Sequence, residues 1–167
     1  MPPHADEDFQ EYAVYRLRLR ELLHLFLLYR EVDRGTAQFA DFPGADFKAL
    51  ADTLHTAAFG WLASLVDPHR SALNVFPLWL RLFPSRAVEI EEVQISFAPC
   101  TKALRAFRGM VAFHGNKSLA QQLKAYQALR NNTFSAPTQQ FLDLAKALLA
   151  EEASIPGLVP YLERLGL

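Results

Sequence analysis

This chain of 167 residues has one cysteine, no long apolar run and almost no net charge, and each feature excludes a class of protein. Because Cys100 stands alone, an intrachain disulfide and a cysteine-based zinc site are both excluded. The longest nearly continuous apolar run, residues 22–29, is interrupted by His24 and is too short to span a bilayer. A net charge of −1 gives no general attraction to nucleic acid, so any RNA contact must come from a local basic patch.

Several familiar motifs are also missing from the sequence. There is no glycine-rich phosphate loop, no nucleophile elbow and no zinc motif, so we predict neither a cofactor nor a bound metal. The N-terminal MPPHADEDF is acidic and lacks the basic and apolar segments of a signal peptide. Together with the lone thiol, this predicts a cytoplasmic protein that does not enter a membrane.

What is present is apolar periodicity at helical spacing. Hydrophobic residues make up 51% of the chain and charged residues 21%, as in a globular domain. The spacing predicts helices over residues 6–32, 46–66, 72–83, 86–97, 99–113, 118–129 and 136–153, and a short final helix in the tail. No strand pattern competes with them. We therefore predict one all-α domain over residues 1–167, an up-and-down bundle of about six to seven helices, with residues 1–6 a disordered tail.

Local signals mark where some of these helices begin and end. Asp46 and Ser85 are predicted N-caps, and Pro137 suits the first turn of its helix. Pro99 lacks a backbone donor and should break the chain between two helices. The second half of the first helix is apolar nearly all round, which predicts burial on more than one side, by a partner helix or a second subunit. The side chains expected in the core include Trp61, Trp79, Cys100, Ala103, Leu104, Phe107, Val111, Leu158, Tyr161, Leu162 and Leu165.

The segment 105–117, RAFRGMVAFHGNK, carries the residues best suited to chemistry. Arg108 precedes His114 by six residues, at the end of an apolar helical stretch. A guanidinium can hold a phosphate in two-point contact, and an imidazole can move a proton near neutral pH. Arg105, Asn116 and Lys117 are the neighbouring candidates for binding the substrate. The same residues also fit a surface arginine and a histidine that ends a helix.

Spacing alone does not separate these two interpretations. With twelve arginines and five histidines, an arginine five to seven residues before a histidine is expected about once by chance, and two such pairs occur. The second pair, Arg18 and His24, lies inside the first helix. There His24 lines up with Arg16, Arg20 and Glu31, which predicts a solvated strip.

The Arg108-to-His114 segment resembles the R-x(4–6)-H signature of the HEPN superfamily of helical nucleases and nucleic-acid-associated proteins. It is most similar to a branch in which an apolar stretch and a Phe-His pair follow the arginine. The similarity covers roughly residues 50 to 117. It implies a helical bundle that forms a homodimer, in which the two Arg/His pairs meet in one cleft and cut RNA without a metal.

Carried over to this chain, the resemblance makes His114 a general acid or base and Arg108 a stabiliser of charge on the phosphate. It also implies a bacterial defence or toxin system with a cognate antitoxin protein. One residue departs from the family pattern: a polar residue commonly follows the arginine, whereas this chain has Gly109. Some members of the superfamily are non-catalytic, so a dimerisation or partner-binding module is the alternative function.

A metal-binding helical bundle is a third and weaker hypothesis. Glu21 with His24, and Asp52 with His55, are carboxylate-x-x-His pairs of the kind that bundles use for metals. Both pairs lie on the polar sides of their helical stripes, so we predict that they face solvent.

Overall fold

A computed structural model describes residues 5–33, 47–67, 74–100, 103–104, 120 and 135–167 of the chain. Within these ranges the chain forms six α-helices: α1 Ala5–Asp33, α2 Phe47–Val66, α3 Val75–Leu82, α4 Ala87–Phe97, α5 Ser135–Ala150 and α6 Leu158–Arg164. Two short 3₁₀ turns, Pro84–Arg86 and Glu152–Ser154, precede α4 and follow α5. No residue of the described ranges lies in a β-strand, and the prediction of an all-α helical bundle is confirmed.

The long helices begin and end close to the predicted positions. α2 ends at Val66, as predicted, whereas its proposed cap Asp46 lies outside the described residues. α1 begins at Ala5, so Ala5 and Asp6 belong to the helix rather than to the tail predicted for residues 1–6. Of the predicted helices, 118–129 and most of 99–113 also fall outside the described residues.

A side chain caps the start of α3, whereas the start of α4 lacks the cap that was predicted. Asn74 caps α3, because its side-chain oxygen accepts a hydrogen bond from the backbone N–H of Phe76 at 3.2 Å. Ser85 was expected to cap α4 but lies inside the 3₁₀ turn that Pro84 begins. The chain enters α4 directly from that turn with no side-chain cap, so the prediction for Ser85 is wrong.

In the C-terminal region, the start of α5 agrees with the prediction, whereas the last residues of the chain pack differently from the prediction. Pro137 lies in the first turn of α5, where its missing N–H is not needed. Gly157 precedes α6 with a φ of 87°, a left-handed conformation that glycine adopts without strain. Leu158 and Leu162 are buried as predicted, but Leu165 follows the last residue of α6 and is 52% exposed. The prediction that Leu165 packs against the core is therefore wrong.

Buried side chains from every helix join in one hydrophobic core, in which α1 and α2 make the most extensive contact. Trp79 is fully buried, as predicted. Trp61 is only half-buried at the edge of the core, where the guanidinium of Arg18 lies 4.2 Å from its ring centre. The largest side chains with almost no exposure are Trp79, Tyr12, Phe76, Phe97, Phe141, Leu19, Leu22, Leu62, Leu65, Leu78 and Ile90.

Phe141 of α5 lies at the centre of an aromatic cluster that joins three helices. Its ring stacks on Trp79 at 5.3 Å between centroids. It also meets the rings of Phe76 and Phe97 edge-on, at 6.0 and 5.8 Å. Aromatic pairs in these geometries stabilise beyond the area that they bury. The cluster therefore fixes α5 against both α3 and α4.

Replacing Phe141 by alanine should destabilise the fold strongly. Because the ring is fully buried and contacts three other aromatic side chains, we expect the free energy of unfolding to fall by about 3–5 kcal/mol. Urea unfolding followed by circular dichroism measures the change. Lys146→Ala, at an exposed position on the same helix, should change it by less than about 0.5 kcal/mol. Equal effects of the two substitutions would contradict the central position given to Phe141.

Candidate functional site

The five residues predicted to form the site, Arg105, Arg108, His114, Asn116 and Lys117, lie outside the residues that the structure describes. What the structure describes is the chain that leads into them. The last described residues before the segment are Ala103 and Leu104, and Arg105 follows Leu104 directly in the sequence.

The approach to this segment is anchored in the core. α4 ends at Phe97, and a turn carries the chain over Pro99, so the predicted break at Pro99 is confirmed. The backbone N–H of Cys100 donates to the carbonyl of Phe97 at 2.9 Å, and that of Leu104 donates to the carbonyl of Cys100 at 3.0 Å. Cys100 is 3% exposed and Leu104 is 2% exposed. Cys100 and Leu104, near the end of the described stretch before Arg105, are therefore held in the core.

The chemistry of Cys100 follows from this burial. Both its thiol and the side chain of Leu104 belong to the hydrophobic core, as predicted, whereas Ala103 is half-buried. Burial raises the pKa of the Cys100 thiol, because the thiolate would lose its solvation. The thiol is thus neutral near pH 7 and serves as a small packing group, not as a nucleophile. The predicted core residues Phe107 and Val111 lie outside the described residues.

A buried polar cluster that the sequence did not reveal links α1 to the 3₁₀ turn after α5. Glu152 is 9% exposed, and its Oε1 accepts a hydrogen bond from the hydroxyl of Tyr12 at 3.0 Å. The same oxygen accepts from Nε of Arg16 at 2.6 Å, which forms an ion pair. Burial raises the pKa of the Tyr12 hydroxyl, and the neighbouring carboxylate of Glu152 raises it further. Tyr12 is therefore a neutral hydrogen-bond donor.

This cluster joins α1 to the turn after α5 through a largely buried ion pair. Arg16 and Glu152 neutralise each other, and the side chain of Arg16 is only 12% exposed. Nη1 of Arg16 is buried and has no hydrogen-bond partner among the described residues. The prediction that Arg16 lies on a solvated strip with His24 is wrong, because its partner lies 136 residues further along the chain. The only local signal is the spacing of Tyr12 and Arg16, four apart and so on one face of α1.

Breaking the ion pair between Arg16 and Glu152 should lower the free energy of unfolding. The effects of substitutions at these two residues should also be strongly coupled. Glu152→Gln leaves a guanidinium buried without its counter-charge, so we expect a loss of about 3 kcal/mol in the free energy of unfolding. Arg16→Met combined with Glu152→Gln should cost less than the sum of the two single changes, by about 1–3 kcal/mol, in urea unfolding.

The exposed pair on the same helix provides the control. Arg18 and Glu21 are 3.0 Å apart, but their side chains are 37% and 51% exposed. The corresponding cycle, Arg18→Met with Glu21→Gln, should show a coupling of about 0.5 kcal/mol or less. Additive effects at Arg16 and Glu152 would contradict a buried ion pair.

The two carboxylate-x-x-His pairs have different surroundings. Glu21 and His24 face solvent on α1, as predicted. His55 does not: it is 4% exposed, and its ring centre lies 4.5 Å from that of Phe59 and 5.3 Å from that of Tyr29. The prediction of a solvated His55 is wrong, because α1 and α2 close their aromatic faces around it. In the described part of the chain, no group of three histidine, cysteine or acidic side chains could hold a metal ion.

Several basic side chains of the described helices pair with carboxylates. Arg81 of α3 reaches back to α1, where it contacts Asp8 at 2.9 Å and Glu11 at 2.8 Å. Arg86 forms ion pairs with Glu89 and Glu151. These contacts join neighbouring helices and partly neutralise the cations. The arginines that they engage are thus poor candidates for the local basic patch that RNA contact would require.

Tyr15 adds a polar link between α1 and the start of α3. Its hydroxyl lies 3.2 Å from Oε1 of Glu11 and 3.2 Å from the backbone carbonyl of Asn74. Burial raises the pKa of Tyr15 to about 12, with a further contribution from Glu11. Like Tyr12, it is a neutral structural donor.

Comparison of the chain with protein-family models, with curated proteins and with solved structures gives no match. Among the helices of the described ranges, none combines the length and the apolarity that crossing a membrane requires. The resemblance of the Arg108-to-His114 segment therefore stays a prediction from the sequence.

Proposed function

We propose that this protein is a HEPN-like helical protein that binds and cuts RNA without a metal, through Arg108 and His114. The observation that carries the proposal is the R-x₅-H spacing of these residues in a chain that folds as an all-α bundle. The anchored approach to the segment supports it. Cys100 and Leu104, which precede the segment in the sequence, are buried in the core, and a catalytic group needs a supporting scaffold of this kind.

The chemistry needs only a proton-transfer group and a cation. The ribose 2′-oxygen attacks the adjacent phosphorus, the bond from phosphorus to the 5′-oxygen breaks, and a 2′,3′-cyclic phosphate forms. His114 takes the proton from the 2′-hydroxyl or gives one to the leaving 5′-oxygen. Arg108 holds the phosphate and stabilises the charge that develops on it. Arg105, Asn116 and Lys117 supply further contacts to the RNA.

The charge distribution fits a local RNA site better than a general one. The chain has a net charge of −1, whereas the segment 105–117 contains Arg105, Arg108 and Lys117 and no acidic residue. Four arginines elsewhere, Arg16, Arg18, Arg81 and Arg86, pair with carboxylates. The segment, which has no acidic residue of its own, is therefore better suited to phosphate than these four paired arginines are.

A non-catalytic dimerisation or partner-binding module is the second candidate. Gly109 removes the polar group that commonly follows the arginine, and it loosens a helix by roughly 1 kcal/mol relative to alanine. The exposed apolar side chains of α1 favour a protein partner. Under either candidate we place the protein in the bacterial cytoplasm as a homodimer, and in a toxin system its partner would be a cognate antitoxin.

Cleavage of RNA by the purified full chain in the presence of EDTA tests the proposal. We expect wild-type protein to cut single-stranded RNA and His114→Ala to lose at least about 100-fold in rate, since general acid–base catalysis contributes 10²–10⁴. Arg108→Lys should retain RNA binding but lose rate, because lysine cannot hold the phosphate in two-point contact.

His24→Ala is the matched control, because it removes a histidine that follows an arginine by the same spacing. At protein concentrations at which sedimentation shows the variant to be dimeric, it should cut RNA at the wild-type rate. Wild-type protein that leaves several RNAs intact, while still binding a protein partner or itself, would overturn the nuclease and favour the binding module.

A further inference from the structure

α1 exposes a row of side chains at the spacing of a coiled-coil seam. Val14, Leu17 and Leu28 are 47%, 45% and 44% exposed, although all three are apolar. Glu21 and His24 complete the row and also face solvent. The steps along these five residues, which we call the outer row, alternate between three and four. This is the a and d repeat of helices that pack through a seam.

The outer row lies on a second face of α1, in which three apolar side chains flank Glu21 and His24, and the first face is already buried. On the core side of α1, Leu19, Leu22 and Phe26 are at most 5% exposed. Leu27, beside the outer row, is 56% exposed. An apolar row rimmed by polar side chains is typical of a protein–protein contact. The sequence predicts that α1 is buried on more than one side, by a partner helix or a second subunit, and α2 covers the side that faces the core.

We propose that the outer row is a homodimer contact in which the α1 helices of two copies pair antiparallel. In the register that places Leu17 opposite the partner subunit's Leu28, Glu21 lies opposite the partner subunit's His24. Two-fold symmetry repeats both pairs in reverse order. Two acid–histidine layers therefore form the middle of the contact, and leucine layers close it on either side.

The charge pattern selects this arrangement over the parallel one. In a parallel, in-register pair, Glu21 would face Glu21 of the partner subunit, and like charges in one layer are unfavourable. The antiparallel register replaces that repulsion with two complementary pairs. A self-complementary row of this kind fits a second copy of the same chain.

The inference rests on the proposed function in that a homodimer is part of it, and it adds the surface through which the copies meet. That surface lies on α1, whereas the RNA-cleaving residues lie in the segment 105–117. Assembly is measured without RNA, and cleavage is measured separately. Failure of one proposal can therefore be distinguished from failure of the other.

Sedimentation velocity of the full chain measures its assembly. Protein concentrations from about 1 µM to about 300 µM cover the range in which a dimer with a short interface dissociates. Wild-type protein should approach twice the monomer mass of 18.9 kDa. Leu17→Glu should weaken dimerisation at least tenfold. Ile95→Glu, at a 70% exposed apolar position on α4, is the matched control and should dimerise like wild type. Circular dichroism shows that each variant is folded.

Charge reversal tests the register itself. Glu21→Lys places a lysine opposite a histidine in both middle layers, and His24→Glu places a glutamate opposite a glutamate. Each variant alone should dimerise at least tenfold more weakly than wild type. In an equimolar mixture, the lysine introduced by Glu21→Lys meets the glutamate introduced by His24→Glu, and the native pair remains in the other layer. The mixture should therefore form heterodimers at least tenfold more tightly than either variant self-associates.

Three results would overturn the proposal. The first is wild-type protein that stays monomeric over the whole concentration range. The second is a Leu17→Glu variant that dimerises like wild type, which would place the contact on another surface. The third is a mixture of the two charge variants that associates no better than its components, which would exclude the antiparallel register.

Discussion

The packing of Phe141 against Phe76, Trp79 and Phe97 is the interaction on which the rest of the described structure depends. These rings come from the consecutive helices α3 and α4 and from α5, which lies much further along the chain. Because Phe97 is the last residue of α4, the cluster also fixes the point from which the chain turns toward Cys100 and Leu104. The residues that precede the candidate RNA segment in the sequence are thereby joined to the aromatic cluster.

The second long-range constraint is polar. Glu152 follows α5 and is held by Tyr12 and Arg16 of α1, so the C-terminal part of the chain is joined to its first helix. A buried carboxylate is stable only with such partners, since each alternative position for the turn would leave a charge unpaired. Aromatic packing and this ion pair together set where α5 and the turn after it lie against α1 and α3.

The sequence allowed the all-α fold and the course of α1 and α2 to be predicted, because a long apolar period depends only on local spacing. The burial of Trp79, Cys100 and Leu104 followed from the same periodicity.

Predictions failed where the outcome depended on distant residues. Arg16 was expected in solvent, but its partner Glu152 lies far away in the sequence. His55 was expected at the surface, but Tyr29 of α1 and Phe59 of α2 pack against its ring. Ser85 failed for a local reason, because Pro84 favoured a 3₁₀ turn over a capped helix start. The candidate site rests on the sequence alone, since its five residues lie outside the described part of the chain.

The proposed nuclease combines a helical bundle with a short segment whose residues carry the chemistry for RNA cleavage. If Arg108 and His114 act on the 2′-hydroxyl, the chemical groups at the ends of the RNA products reveal the mechanism. The most direct measurement is mass spectrometry of a defined RNA after incubation with the protein in EDTA, together with the same RNA carrying one 2′-deoxynucleotide at the cleavage position. The account predicts a 2′,3′-cyclic phosphate and a 5′-hydroxyl from the first RNA, and no cleavage at the substituted position of the second. Products with a 5′-phosphate, or cleavage that persists without the 2′-hydroxyl, would contradict it.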